Sequence, residues 1–144
     1  MRSTILVLLL IIPLLSACTQ GGDTTVAAPP AATEVQTSNN PKIDALIAQW
    51  RKDAPPSMTA NAIKAETIEE HTYTSSASLT EVETFYKNLT TNGWVADRRL
   101  LNAENDTFAI LGFEHGTTSL TVGAIDAQKF GGSGTVIYTV KGNK

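Results

Sequence analysis

The sequence predicts an α+β domain in which an antiparallel sheet of about five strands carries one main helix on one face. Three observations lead to this fold class. Ser78–Trp94 has the pattern of one amphipathic helix, several runs typical of strands follow it, and the connections between those runs are short and polar. Because short connections join antiparallel neighbours, we expect the order β-α-β-β-β-β, with an N-terminal helix before it.

The main helix has a signal at each end. Ser78 can cap the first turn, and Glu81 stands three residues later, which is the spacing of a capping box. Gly93 can take a positive φ just after the helix, and Trp94 follows it. The apolar residues between these ends recur at helical spacing: Leu79, Val82, Phe85, Tyr86 and Leu89. This stripe predicts a face packed on a sheet, and Phe85-Tyr86 is expected to lie at its centre.

An earlier helix is predicted over Pro41–Asp53. Asn40 is a favourable cap, and Pro41 suits the first helical position. An apolar stripe of Ile43, Leu46, Ile47 and Trp50 follows. Trp50 belongs to this stripe, so core packing is a better interpretation than a ligand platform. The sequence Ala54-Pro55-Pro56 is expected to end the helix, and Met58–Lys64 fits a loop, a short helix or an edge strand equally well.

Five segments are rich in β-branched and aromatic residues or alternate in polarity, as strands do. They are Glu66–Ser75, Trp94–Leu101, Thr107–Glu114, Thr117–Ile125 and Thr135–Lys141. The connections have turn compositions: Asn102–Asp106 is polar, His115-Gly116 suits a tight hairpin, and Asp126–Gly134 is glycine-rich. The main helix would cover one face of the sheet. We expect the N-terminal helix in the same layer or at an edge, so that the other face stays open.

The first residues have the pattern of an export signal. Arg2 precedes a nearly unbroken apolar run, Ile5–Leu15, which is shorter than the roughly 20 residues that span a bilayer. The run ends in Leu15-Ser16-Ala17-Cys18, which resembles the lipobox of bacterial lipoproteins. This resemblance implies that residues 1–17 are a removed signal peptide and that Cys18 is acylated, with palmitate or a similar chain. Several acyl chains on one residue would anchor the protein stably in a membrane.

Residues 18–40 are then expected to form the acylated cysteine and a disordered tether, and residues 41–144 a single α+β domain. Large apolar side chains are almost absent from Thr19–Asn40, so this stretch has little to bury. By the lipoprotein resemblance, Thr19 after the cysteine favours the outer membrane where two membranes exist, and otherwise the cell membrane. The formal net charge of −3, without a basic run, argues against nucleic acid as a partner.

Few residues suggest catalysis, metal binding or phosphate binding. His71 and His115 have no neighbouring ligands at metal spacing, and Cys18 is the only cysteine. The Phe130–Thr135 segment lacks the Lys-Ser/Thr of a phosphate loop and fits a mobile hairpin loop, with Phe130 as a contact point at its tip. The acidic residues near the main helix fit a solvated face better than paired catalytic carboxylates: Glu66, Glu69, Glu70, Glu81 and Glu83. We therefore expect no catalytic residue, metal or cofactor.

The central pattern also resembles a module of uncharacterised bacterial envelope lipoproteins. Its marks here are Tyr73-Thr74-Ser75, then Phe85-Tyr86, Leu89 and Gly93-Trp94. The resemblance implies a strand running into a helix and a β-meander, and no activity. The expected function is a non-enzymatic binding or accessory role at the membrane, with an envelope protein or a small molecule as partner. A small carboxylate-dependent hydrolase and a structural or assembly component are the alternatives.

Overall fold

The computed structural model describes residues 24–98 and 103–144, which form one antiparallel sheet and two α-helices. The strands are β1 Ala32–Glu34, β2 Glu69–Ser75, β3 Val95–Ala96, β4 Ala103–Glu104, β5 Phe108–His115, β6 Thr118–Asp126 and β7 Thr135–Asn143. The order across the sheet is β1-β2-β7-β6-β5-β3, and β4 also pairs with β5. The helices are α1 Pro41–Ala60 and α2 Leu79–Lys87. The predicted α+β class is therefore confirmed, whereas the strand count of about five is too low.

The strands between α2 and the C-terminus form the meander that the turn signals predict. The β5–β6 hairpin closes one residue later than expected, because His115 pairs with Thr118 and leaves Gly116-Thr117 as the turn. Gly116 has a φ of 57°, a conformation that glycine adopts without strain. The strand predicted over Trp94–Leu101 is much shorter: β3 holds two residues, and the rest of that prediction from position 99 onward lies outside the described residues. The predicted Asn102–Asp106 turn begins outside them too.

The ends of α2 match their sequence signals. The Ser78 hydroxyl accepts from the Glu81 amide at 3.3 Å, and the Glu81 carboxylate accepts from the Ser78 amide at 2.8 Å, which completes the capping box. A 3₁₀ turn over Asn88–Asn92 extends the helix to Gly93, whose φ is 86°. The apolar stripe of α2 packs on one face of the sheet. We call this buried cluster the α2-side core: Leu79, Val82, Tyr86, Trp94, Ala109, Leu111, Phe113, Leu120, Val122, Ala124 and Ile137.

The predicted end of α1 is wrong. The helix continues through Pro55 and Pro56 to Ala60, so Met58, in the segment that was ambiguous, belongs to its last turn. Proline has no amide hydrogen, so the carbonyls four residues earlier lose their usual donors, and this loss normally ends a helix. Here the turn after the prolines packs into the sheet: Met58 is buried with Ile63. Tertiary packing has therefore overridden a local breaking signal.

The predicted layer arrangement is also wrong, because α1 covers the face opposite α2. Along β7, Val136, Tyr138 and Val140 face α1, while Ile137 between them faces α2. We call the second buried cluster the α1-side core: Ile43, Ile47, Met58, Ile63, Ile125, Ala127, Val136, Tyr138 and Val140. Trp50 packs against this core, as predicted. The sheet is thus enclosed between two helices.

Part of the predicted tether belongs to the fold. β1 lies within the stretch expected to be disordered, and it pairs with the Tyr73–Ser75 end of β2. Upstream of it, Val26 packs against the α2-side core, and the Ser75 hydroxyl donates to the Pro30 carbonyl at 2.6 Å. The free edge of β2 supplies backbone partners that the composition of this stretch does not reveal. The Ala32–Glu34 part of the predicted tether is therefore a paired strand, and the part before position 24 lies outside the described residues.

Candidate ligand groove between α1 and the sheet

A groove runs along one side of α1, where the helix leaves part of β5 and β6 uncovered. Its floor consists of residues from these two strands, and its wall is the C-terminal half of the helix. Two adjoining cavities make up the groove, and both are lined by Ser57 and Thr121. We call the combined space the α1 groove.

One end of the α1 groove is apolar and has a volume of about 190 Å³. It is lined mainly by Trp50, Ala54, Ile110 and Tyr138, and Asp53 lies at its exposed margin. The Trp50 indole lies directly over Gly123 in β6, so that a side chain at position 123 would overlap it. Glycine within a strand often marks such a close approach. The absence of a side chain on Gly123 therefore sets how deeply Trp50 sits and gives the cavity its aromatic wall.

The other end, which we call the polar end, is of mixed polarity and has a volume of about 280 Å³. Asn61 stands on the helix side, and Gly112, Glu114 and Asp97 stand on the sheet side. The Asp97 amide donates to the Gly112 carbonyl at 2.7 Å, which continues the β3–β5 pairing and places Asp97 beside the groove. The polar end thus has Asn61, Asp97 and Glu114 in its lining, and the Asn61 side-chain amide donates to the Ser57 carbonyl at 2.8 Å.

The carboxylates of the groove already take part in contacts. Glu114 accepts from the Lys144 ammonium at 2.9 Å, and Asp53 accepts from the Gln49 side-chain amide at 2.6 Å. Within residues 24–98 and 103–144, neither cavity is lined by a lysine or an arginine. Lys144 therefore offsets the charge of Glu114, and Arg98 lines a neighbouring surface cavity together with Asp97 and Glu114.

Tyr138 forms part of the apolar end and carries a buried polar atom. The residue is 2% exposed, and its hydroxyl is the one buried side-chain polar atom without a hydrogen-bond partner in the described part of the chain. Burial raises the pKa of Tyr138, and the nearby Glu70 carboxylate raises it further. Arg51 lies near Tyr138, because its guanidinium donates at 2.8 Å to the hydroxyl of Thr72, the residue of β2 that pairs with Tyr138. The Tyr138 phenol thus lies between the α1 groove and the charged side chains of Glu70 and Arg51.

The two histidines stand far apart. Their strands, β2 and β5, are three positions from each other in the sheet, which is about 14 Å at the usual spacing. His71 contacts Glu34 at 2.7 Å, and His115 packs against Trp94 with ring centroids 5.5 Å apart. No group of three or more metal-ligating side chains occurs among the described residues. Each histidine therefore has its own structural contact, on strands that are three positions apart in the sheet.

The acidic residues singled out from the sequence are also dispersed. Glu69 pairs with Lys141 at 3.0 Å on the α2 side, whereas Glu70 lies on the α1 side. Glu81 belongs to the capping box, and hydrogen bonds from Ser78 hold its pKa below its usual value. Glu83 pairs with Lys87 at 3.1 Å, and Glu66 is exposed in the 3₁₀ turn Ala65–Thr67. The structure does not bring these five carboxylates to one place.

The glycine-rich loop does not present Phe130 as a free contact point. Ala127–Phe130 forms a 3₁₀ turn, and the Asp126 side chain caps it by accepting from the Gln128 amide at 2.9 Å. Phe130 packs against the α1-side core, and its carbonyl accepts from the Asn40 side chain at 3.0 Å. That expectation is wrong, because the apolar ring completes the core beneath α1.

Sequence reasoning missed the α1 groove. Its residues come from α1, from β5, β6 and β7, and from the position after β3, and nothing in their spacing along the chain groups them. The one usable signal was the presence of Gly112 and Gly123 inside predicted strands, since such glycines often mark a bulge or a close contact. The lipidation site predicted at Cys18 lies outside the described residues.

Comparison of the chain with protein-family models, with curated proteins and with solved structures gives no match to any of them. In the part of the chain described here, neither helix has the length and apolar character needed to cross a membrane.

Proposed function

We propose that this protein is a lipid-anchored bacterial envelope lipoprotein with a non-enzymatic binding role, and that the α1 groove is its ligand site. The observation that carries the binding role is the groove itself. It joins an aromatic, apolar end to an end of mixed polarity that is lined in part by Asn61, Asp97 and Glu114. Binding pockets for small molecules commonly have this combination, with apolar walls for contact area and a few polar groups for orientation.

The lipobox resemblance at Leu15-Ser16-Ala17-Cys18 supports the anchoring part of the proposal. An acylated Cys18 would hold the domain on the extracytoplasmic side of the cell membrane or outer membrane. Since Val26 already packs against the α2-side core, only a short stretch would separate the lipid from the folded domain. The bound ligand would therefore be captured close to the membrane surface.

The anchor is tested by replacing Cys18 with alanine. We expect Cys18→Ala to leave the membrane fraction and to lose labelling by a fatty-acid probe, because no acceptor thiol remains. The matched control is Thr19→Ala, which keeps the cysteine and should stay labelled and membrane-bound. Continued labelling of Cys18→Ala would contradict the anchor.

The groove is tested by filling it. Ser57 is exposed on α1 and lines both cavities, so Ser57→Phe should block the groove without disturbing either core. Native mass spectrometry of protein purified gently from membranes should show a bound small molecule that Ser57→Phe has lost. Thr80→Phe, on the exposed side of α2, should retain it. Equal occupancy in all three proteins would place the ligand elsewhere, and no occupancy in any of them would remove the support for a binding role.

A further inference from the structure

We infer that the domain turns its α2 face toward the bilayer, so that the α1 groove opens to the aqueous phase and takes a water-soluble ligand, not a membrane lipid. The α2 face is the side of the sheet that carries α2 and Val26. This inference rests on the proposed anchor and groove, and it specifies where the ligand comes from. Three observations carry it: the point at which the chain joins the domain, the length of chain from Cys18 to that point, and the thickness of the fold.

The N-terminal segment joins the domain on the α2 face. Val26 packs against the α2-side core, and Val26 and Ala27 line a small cavity together with Tyr86 of α2. The sheet side of this cavity comes from β2, β7 and β6. Because β7 is two positions from β1 in the sheet, Val26 lies about 10 Å inside the β1 edge at the usual strand spacing.

Contacts farther along the segment hold it on this face. Pro29 is buried, and the carbonyl of Pro30 accepts from the buried Ser75 hydroxyl at 2.6 Å. β1 then pairs with β2, and the Val35 amide continues the pairing by donating to the Thr72 carbonyl at 2.9 Å. Only the residues before this segment therefore set the distance between the anchor and the domain.

The length of chain between the anchor and the domain is short. Positions 19–23 separate Cys18 from Thr24, the first described residue, which is itself half-buried. A stretch of this length spans at most about 20 Å when it is fully extended. Since acyl chains on Cys18 would hold that residue at the bilayer surface, Thr24 stays within about 20 Å of the lipid headgroups.

The opposite orientation needs a longer chain. If the α1 groove faced the bilayer, α1 and the sheet would both lie between the lipid and Val26. A helix is about 10 Å across and packed layers are about 10 Å apart, so the chain would have to rise about 20 Å. It would also have to pass around an edge of the sheet. This path is longer than positions 19–23 can span, so the anchored domain keeps the groove away from the bilayer.

Charge alone would favour the opposite orientation. α1 carries the exposed cations Lys42 and Lys52, and an anionic bilayer attracts such side chains. On α2, by contrast, the exposed positions Thr80 and Thr84 are uncharged. The inference therefore predicts that the short chain overrides this attraction, and vesicles that contain an anionic lipid give the strictest test.

The test measures energy transfer from a fluorophore on the domain to an acceptor on the lipid headgroups. Mature acylated protein, in vesicles of phosphatidylcholine and phosphatidylglycerol, is labelled at Thr84→Cys on α2 or at Ala48→Cys on α1, both of which are exposed positions. Cys18 is the only natural cysteine, so its acylation leaves one free thiol in each variant. We expect transfer to be at least twofold more efficient from position 84 than from position 48. The control carries about 20 additional Gly and Ser residues after Asp23, and it should lose this difference because its longer tether reaches around the domain.

With the natural tether, equal transfer from the two positions or stronger transfer from position 48 would overturn the inference. A membrane lipid that native mass spectrometry finds bound and that Ser57→Phe displaces would overturn it too, while the proposed binding role stands. Stronger transfer from position 84 without any molecule that Ser57→Phe displaces would support the orientation and remove the binding role. A protein that acquires no lipid on Cys18 would remove the anchor and the inference together. Thermal unfolding checks that both labelled variants are folded.

Discussion

The indole of Trp50 lies on the backbone of Gly123, and a Cβ atom at that position would come within 2.6 Å of the ring atom Cε3. This contact joins α1 to β6 and sets the depth of the helix on the sheet. The same indole forms the aromatic wall of the apolar end of the α1 groove. The same pair of residues therefore contributes to the stability of the fold and to the shape of the candidate site.

Gly123→Ala should push Trp50 away from the sheet. We expect a loss of about 1–3 kcal/mol in the free energy of unfolding, the usual range for overpacking a core position. The emission of Trp50 should also change as its ring moves toward solvent. Urea denaturation followed by circular dichroism and by fluorescence measures both effects.

The control for this prediction is a double-mutant cycle with Trp50→Ala. If overlap with the indole is the cause, Gly123→Ala should cost much less once the indole is absent, which gives a large coupling energy. A cost that is the same in both backgrounds would assign the effect to the strand backbone instead.

Tyr86 and Phe85 should differ in their contributions to stability. Both belong to the predicted stripe, but Tyr86 is 1% exposed, whereas Phe85 is only partly buried. Tyr86→Ala should cost about 3–5 kcal/mol, the range for truncating a buried aromatic side chain. Phe85→Ala should cost less, because a smaller part of this side chain is buried. The substitution removes that part and the edge-to-face contact with Tyr86, in which the ring centroids are 5.1 Å apart. Equal losses in chemical denaturation would contradict the packing described here.

The capping box predicts a dependence of stability on pH. Hydrogen bonds from Ser78 lower the pKa of Glu81 in the folded protein below its ordinary value of 4.5. The stabilisation is therefore complete above pH 4.5 and is lost as the pH falls through the lower folded value. Glu81→Gln keeps the geometry of the capping box but cannot titrate, so its stability should fall less steeply on acidification. Thermal unfolding between pH 3 and pH 7 compares the two proteins, and parallel curves would contradict the prediction.

The segment before α1 should contribute to stability. We compare a soluble variant that begins at Thr24 with one that begins at Thr37, which keeps the Asn40 cap of α1. Removing β1 exposes the edge of β2 and leaves the buried Ser75 without the Pro30 carbonyl. The shorter variant should lose about 1–3 kcal/mol, the cost of leaving a buried polar group unpaired. Equal denaturation midpoints would mean that this segment is only a tether.

Local signals predicted the elements that depend on neighbouring residues. The capping box of α2, the glycine after it and the alternation of β6 all act within a few positions, so they can be read from the sequence. Pro55 and Pro56 show the limit of such signals, because α1 passes through them to place Met58 in the core. The residues of β1 likewise carry no pattern of their own and acquire structure only from the edge of β2.

The sequence by itself determined the α+β class, the stretch that becomes α2 and the meander that follows it, whereas the membrane anchor at Cys18 stays a prediction. The tertiary structure decided that α1 lies on the face opposite α2, because strands such as β7 are buried on both faces and a pattern of alternation does not say which helix covers which face. It also decided the α1 groove. Trp50, Asp97, Glu114 and Tyr138 are distant along the chain, and only the pairing of the strands brings them to one side of α1.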